Sequence, residues 1–154
     1  MARIRTELVI NAPAARVWAL VTDWPAQSRW IPLTTVTIDR SGSEGVTGLG
    51  ARFTGRTRLG PLGFDDPMEV TEWRPATDGV AGRCRVRKLG PWLTGWAEIE
   101  VRPSPGGTRV EWVEEVRARW TPRIADPVIA AVGSAFFGRV LRKMAAELAL
   151  TSPE

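Results

Sequence analysis

Polar and apolar positions alternate from the first residues. Ile4, Thr6, Leu8 and Ile10 fall on one side of an extended chain, and Arg3, Arg5 and Glu7 fall on the other. A period of two with one apolar side predicts a half-buried strand. Pro13 suits the first position of a helix, where a missing N–H leaves nothing unsatisfied. Val17, Trp18, Leu20 and Val21 give this short helix an apolar side. Asp23-Trp24-Pro25 punctuates it, and a second short helix or turn runs to Trp30, closed by Pro32.

The alternation then returns in pieces. Val36 and Ile38 mark one strand. Phe53, Gly55 and Thr57 alternate with Arg52, Arg56 and Arg58; Met68, Val70 and Glu72 with Glu69, Thr71 and Trp73. Gly82, Cys84 and Val86 alternate with Arg83, Arg85 and Arg87; Gly95, Ala97 and Ile99 with Trp96, Glu98 and Glu100. Val110, Trp112, Glu114 and Val116 alternate with Glu111, Val113, Glu115 and Arg117. Turn signals separate these runs at Gly42–Gly50, Gly60-Pro61, Asp78-Gly79, Gly90-Pro91 and Pro103–Gly107. Short strands joined by such turns predict a six-stranded antiparallel meander.

The period changes to a helical one at the end. Asp126-Pro127 reads as a cap and first residue, and the helix runs to about Leu150. Val140, Leu141, Met144 and Leu148 share a face opposite Arg139, Arg142, Lys143 and Glu147. From Pro127 to Phe137 only Ser134 interrupts an all-round apolar surface. Such a surface needs cover on every side. The sheet can supply one side; loops, a second copy of the chain or a ligand must supply the other. The order is strand, two short helices, meander, long helix. This is an α+β arrangement in which the terminal helix covers the sheet's apolar face.

Asn11-Ala12-Pro13-Ala14-Ala15-Arg16-Val17-Trp18-Ala19-Leu20-Val21-Thr22-Asp23-Trp24 and Trp30-Ile31-Pro32 resemble the opening of the START-like helix-grip superfamily (SRPBCC). The branch most resembled is polyketide cyclase/dehydrase and lipid transport. Met68-Glu69-Val70-Thr71-Glu72-Trp73-Arg74-Pro75 and Gly107-Thr108-Arg109-Val110-Glu111-Trp112 fit the same pattern. The resemblance covers nearly all of residues 1–154, read as one domain. It implies a seven-stranded antiparallel sheet wrapped around the C-terminal helix, with an apolar cavity between them. Members bind lipids, sterols, hormones or polyketides, and some catalyse aromatic ring closure or dehydration.

Composition narrows the chemistry. The 154 residues contain no His, no Tyr and one Cys. A Ser-His-Asp triad is excluded, and a zinc site and an intramolecular disulfide lack their residues. Proton transfer falls to carboxylates, Cys84, Lys88, Lys143 or ordered water. No metal and no cofactor is expected. Net charge is +4, from 21 Lys and Arg against 17 Asp and Glu. The meander sets Arg-rich strands beside Glu-rich ones, so the arginines are expected to pair across strands rather than form a nucleic-acid patch. The N-terminus has no signal-like apolar run and no stretch reaches 18 apolar residues; no membrane span and a cytoplasmic location are expected.

The expected inward face gives the candidate pocket: Trp30, Phe53, Met68, Val70, Cys84, Ala97 and Trp112 from the first short helices and the sheet, with Val132 and Phe136 from the last helix and Arg29 nearby. Gly55, Gly82, Gly95 and Ala97 facing Ala131, Gly133 and Ala135 would leave space there. Glu114 and Glu72 share that face, so they are the candidate acid/base groups or polar anchors. Asp65-Asp66-Pro67 reads as a turn, with a cation site the weaker reading. The expected function is an intracellular carrier of an apolar, ring-containing small molecule. The alternative is a cyclase/dehydratase acting on a polyketide-like substrate through Glu114 or Glu72. A homodimer built on the apolar half of the last helix is the third expectation.

Overall fold

A computed structural model describes residues 1–150. β1 (Ala2–Ile10) leads into α1 (Ala14–Val21) and a 3₁₀ turn at Pro25–Arg29. Six strands follow: β2 (Thr34–Arg40), β3 (Arg52–Leu59), β4 (Leu62–Arg74), β5 (Gly82–Leu89), β6 (Leu93–Ser104) and β7 (Gly107–Ala118). α2 (Asp126–Leu150) ends the described chain. The strands form one antiparallel sheet in the order β1-β7-β6-β5-β4-β3-β2. The meander is therefore continuous, and β1 extends it at the β7 side. Seven antiparallel strands and a long C-terminal helix make this the helix-grip fold.

The charged alternation resolves into cross-strand pairs on the outer face. Arg52 meets Glu69 at 2.8 Å, Arg56 meets Asp65 at 3.1 Å, Arg83 meets Glu98 at 2.6 Å and Arg5 meets Glu111 at 3.2 Å. Arg85 lies over the Trp96 ring at 4.1 Å, and the Trp96 indole donates to Glu115 at 3.1 Å. Paired guanidinium groups on exposed strands explain the arginines as sheet-pairing residues, each contact contributing ~0.2–1 kcal/mol.

The core sits between the concave face and α2. Val140, Leu141, Met144 and Leu148 are buried, as the helical period requires. They pack in one cluster with Val17, Trp18 and Val21 of α1 and with Val70, Cys84, Val101 and Val110 of the sheet. The first half of α2 behaves differently. Gly133 lies against Ile4 of β1, where an added Cβ would come within 2.5 Å of Ile4 Cδ1. The opposite side is uncovered: Val128 and Val132 are 65% and 64% exposed. By length and composition alone residues 123–150 would suffice to cross a membrane, a test that a core helix also passes, so the expectation of no span is not overturned. In this fold the second half of that segment is packed into the core instead.

Three local expectations need correction. Pro13 is the residue before α1, in extended conformation, and Ala14 is the first helical residue. Asp65-Asp66-Pro67 is mid-strand in β4, not a turn: Asp65 faces Arg56 and Arg58 outside, and Asp66 faces inward. Two of the small residues, Gly82 and Gly95, serve close backbone approach instead of leaving space. A Cβ on Gly82 would lie 2.2 Å from Ala76 N, and one on Gly95 would lie 1.9 Å from the Glu115 carbonyl oxygen.

Candidate functional site

A cavity of about 410 Å³ lies between the concave face and the first half of α2. Its wall is mainly aliphatic and aromatic. Trp24 stacks on Phe53 at 4.5 Å between ring centroids, and Trp112 stacks on Phe137 at 5.0 Å. Phe136 meets Phe137 edge-on at 5.3 Å. The alternation of β3 to β7 places Phe53, Met68, Val86, Ala97 and Trp112 on this wall, because every second residue faces the same way. Gly55 also lines it, and a Cβ added there would meet only ordinary contacts at 3.8 Å or more. Gly55 and Ala97 are thus small residues that do open space.

One part of the wall is charged. Lys88 of β5 points inward and places Nζ 2.6 Å from Asp66 Oδ2 and 3.0 Å from Glu114 Oε1. All three residues line the cavity and all three are buried. Glu114 Oε2 also accepts a long 3.4 Å bond from the Trp112 indole. Asp66 Oδ1 has no hydrogen-bond partner among the described residues.

Burial alone would favour a neutral Lys88. The attraction of Glu114 and Asp66 overrides it and holds the ammonium well above its ordinary pKa. Burial raises the pKa of Asp66, and Glu114 adds to the rise. The attraction and hydrogen bond of Lys88 only partly oppose it. The three groups form one buried unit in which Lys88 is held as the cation.

Of the residues expected in the pocket, Phe53, Met68, Ala97, Trp112 and Phe136 line the cavity, as does Glu114. Six do not. Val70 and Cys84 are on the concave face but are sealed in the core beneath it. Trp30 is buried with its indole bonded to Glu147, and Arg29 pairs with the same carboxylate at the surface. Val132 projects to solvent from the uncovered side of α2. Glu72 is displaced by a register shift between Val70 and Glu72, where the extra residue reverses the alternation. Trp73 takes the inward place against Trp18 at 5.0 Å, and Glu72 turns outward to Arg74 at 2.6 Å. The Arg74 bond holds the Glu72 carboxyl below its ordinary pKa, which is unsuited to a proton donor near neutral pH.

Sequence reasoning missed Lys88 and Asp66 as wall residues. The signal was present. Lys88 continues Gly82, Cys84 and Val86 by one more step of two, and Asp66 precedes Met68 and Val70 by one such step.

The fold and its apolar cavity place the protein among START-like helix-grip domains. Among solved structures, a START superfamily protein from Mycobacterium smegmatis matches with a TM-score of 0.72 at 13% identity, covering 96% of this chain and 99% of that one. A protein from Thermus thermophilus matches with a TM-score of 0.71 at 17% identity, over 97% and 99% of the two chains. One from Thermobifida fusca matches with a TM-score of 0.67 at 22% identity, over 100% and 98%. These likenesses concern the fold. A search of curated proteins gave no match. The family model "Polyketide cyclase / dehydrase and lipid transport" matches residues 1–149, and the chain belongs to that family.

Proposed function

We propose that the protein is a carrier that binds an apolar, ring-containing small molecule in the cavity between sheet and helix. The observation that supports this most is the cavity itself. An unfilled apolar space of about 410 Å³ costs stability, ~24 cal/mol per Å³ in core-truncation series. A cavity of ~150 Å³ is enough to hold benzene, so this one suits a ligand of two or three fused rings. The stacked pairs Trp24–Phe53 and Trp112–Phe137 make part of the wall aromatic, which suits a ring-containing guest. The compartment proposed is the cytoplasm; a single cysteine gives no reason to invoke an oxidising one.

Native mass spectrometry of the purified protein tests the reading. A carried small molecule should appear as a bound mass removed by denaturation. Adding it back should raise stability by RT ln(1 + [L]/Kd). Persistent absence of a bound species, together with no thermal stabilisation by any fused-ring compound, would defeat the proposal.

A second reading has one observation in its favour. Glu114 lies on the cavity wall, ion-paired to Lys88, where a polyketide-like substrate folded against the rings would meet it. Glu114 would then serve as acid/base for cyclisation or dehydration. Glu114→Gln separates the readings: a carrier keeps its ligand, whereas an enzyme loses turnover of a reactive poly-carbonyl chain.

A further inference from the structure

We propose that the end of the fold where the cavity opens docks onto an anionic phospholipid surface. This goes beyond the carrier reading and concerns the rim of the cavity, not its occupant. In an antiparallel meander every second turn falls at the same end. The starts of β2, β4 and β6 and the ends of β3, β5 and β7 therefore share one end of the sheet. Pro32 is the one exposed residue among those described that line the cavity, and Phe64, Leu93 and Ala118 line it half-buried at that same end. The cavity thus meets solvent here.

The rim around this opening is apolar. Leu33, Leu59, Leu62, Trp92, Trp120 and Ile124 project from it, from 44% exposed at Trp92 to 88% at Ile124. Contacts join the turns that carry them. The Trp92 and Trp120 rings lie 6.0 Å apart, Trp120 meets Phe64 of β4 at 5.7 Å, and the Leu33 carbonyl accepts the Arg58 N–H at 3.0 Å. Leu33 is held at φ +59°, a left-handed conformation costly for a leucine, with its side chain in solvent. Exposed apolar surface gathered in one place marks an interaction site.

Charge identifies the partner's chemistry. The nearest carboxylates along these segments are already engaged: Asp65 by Arg56 and Arg58, Glu115 by Arg3, and Asp126 by the N-terminal amine. Arg117, Arg119 and Arg123 are exposed and form no ion pair among the described residues; Arg119 instead lies over the Trp92 ring at 5.9 Å. Apolar tips beside unpaired guanidinium groups fit an anionic bilayer. The leucines and Ile124 would enter the acyl boundary, the indoles would rest at headgroup level, and the arginines would meet lipid phosphates. A second copy fits less well, because a two-fold contact would bring the same arginines face to face. A nucleic acid would offer phosphates to the arginines and nothing to the aliphatic tips.

Co-sedimentation of the whole protein with vesicles tests this. Vesicles of equal parts phosphatidylglycerol and phosphatidylcholine should retain it on the order of tenfold better than phosphatidylcholine alone, and salt should weaken the retention. Arg119→Gln with Arg123→Gln should weaken it on the order of tenfold. Arg102→Gln with Arg109→Gln removes the same charge from the opposite end of the sheet and should leave it within about twofold. Leu59→Ser with Leu62→Ser should also cost on the order of tenfold, although charge is unchanged. All of these side chains are exposed, so each variant should keep the wild-type circular dichroism. Absence of wild-type retention by the phosphatidylglycerol vesicles would overturn the proposal and leave the cavity reading standing. Equal loss from both arginine pairs would do the same, since it marks attraction by net charge alone. So would undiminished retention of the leucine variant. A wild-type dimer in sedimentation velocity that the leucine pair abolishes would assign this face to a second copy and overturn the proposal likewise.

Discussion

Trp30 donates its indole N–H to Glu147 of α2 at 2.7 Å. Arg29 adds its guanidinium to the same carboxylate at 2.5 Å, so the 3₁₀ turn after α1 is tied to the far half of the last helix. The Arg29 bond, with help from Trp30, holds the Glu147 carboxyl below its ordinary pKa of 4.5. A carboxyl lowered in the folded state contributes stability that is present above the unfolded value and lost as pH falls through the folded one. Glu147→Gln should therefore cost about 1 kcal/mol at neutral pH, a modest figure because the pair is partly exposed. Urea unfolding should show the gap between wild type and variant shrinking below pH 4.5. A gap that persists unchanged into strong acid would show that the charge is not what matters.

Gly55 and Gly95 should respond oppositely to a side chain. Gly55 lines the cavity and has room for a Cβ, with its nearest neighbours at 3.8 Å and beyond. Gly55→Val suits a strand and fills part of the space. Stability should hold or rise slightly, while affinity for fused-ring probes falls at least tenfold. Gly95 has φ +126°, and a Cβ there would meet the Glu115 backbone oxygen at 1.9 Å. Gly95→Ala should destabilise by about 2 kcal/mol or more through backbone strain. Thermal unfolding and probe titration of both variants check the contrast. A Gly55→Val protein with undiminished binding would place the ligand elsewhere.

Strand alternation made most of the fold legible, since the outer arginines and inner aliphatics kept step over β1, β3, β5, β6 and β7. It failed where the step itself changed. The irregularity after Val70 turned Glu72 outward and Trp73 inward, and no residue type at that position announces an extra residue in the ladder. Lys88 and Asp66 are in phase with the inward residues, but Asp65-Asp66-Pro67 looks like a turn, and charged side chains rarely lie inside. Each is tolerated there by the other and by Glu114. Gly82 and Gly95 read as cavity-forming because absence of a side chain looks the same whether it leaves room for a ligand or for a neighbouring backbone. Val132 and Trp30 depended on how α2 sits over β1, which periodicity along one helix does not contain.

The buried cluster should behave as a unit toward mutation. Lys88→Met alone leaves the Asp66 and Glu114 carboxyl groups buried without their cation. The expected cost is about 3 kcal/mol, in the range for breaking a buried ion pair. Replacing all three groups by Asp66→Leu, Lys88→Met and Glu114→Leu removes the desolvation cost together with the attraction. That protein should be within ~1 kcal/mol of wild type, or more stable. Urea midpoints of the single and triple variants give the comparison. A triple variant less stable than Lys88→Met would mean that the cluster contributes net stability rather than being held in spite of its cost.

Cys84 should be chemically silent in the folded protein. It is buried in the core beneath the cavity, and no His is present to draw off its proton. Burial first, and the nearby Glu72 charge second, raise its pKa far above the ordinary 9.0. The thiol therefore stays neutral, and a neutral thiol reacts slowly with alkylating and disulfide reagents. Iodoacetamide should leave the native protein unmodified over times that fully label the urea-unfolded chain. An acid whose folded pKa is raised contributes stability that is complete below its unfolded value and lost as pH rises past it. Wild type should therefore lose stability above pH 9.0 by more than a Cys84→Ala variant does, although the variant starts lower for want of the sulfur's packing. Rapid labelling of the folded protein at neutral pH would show that the core around β5 opens far more readily than its packing implies.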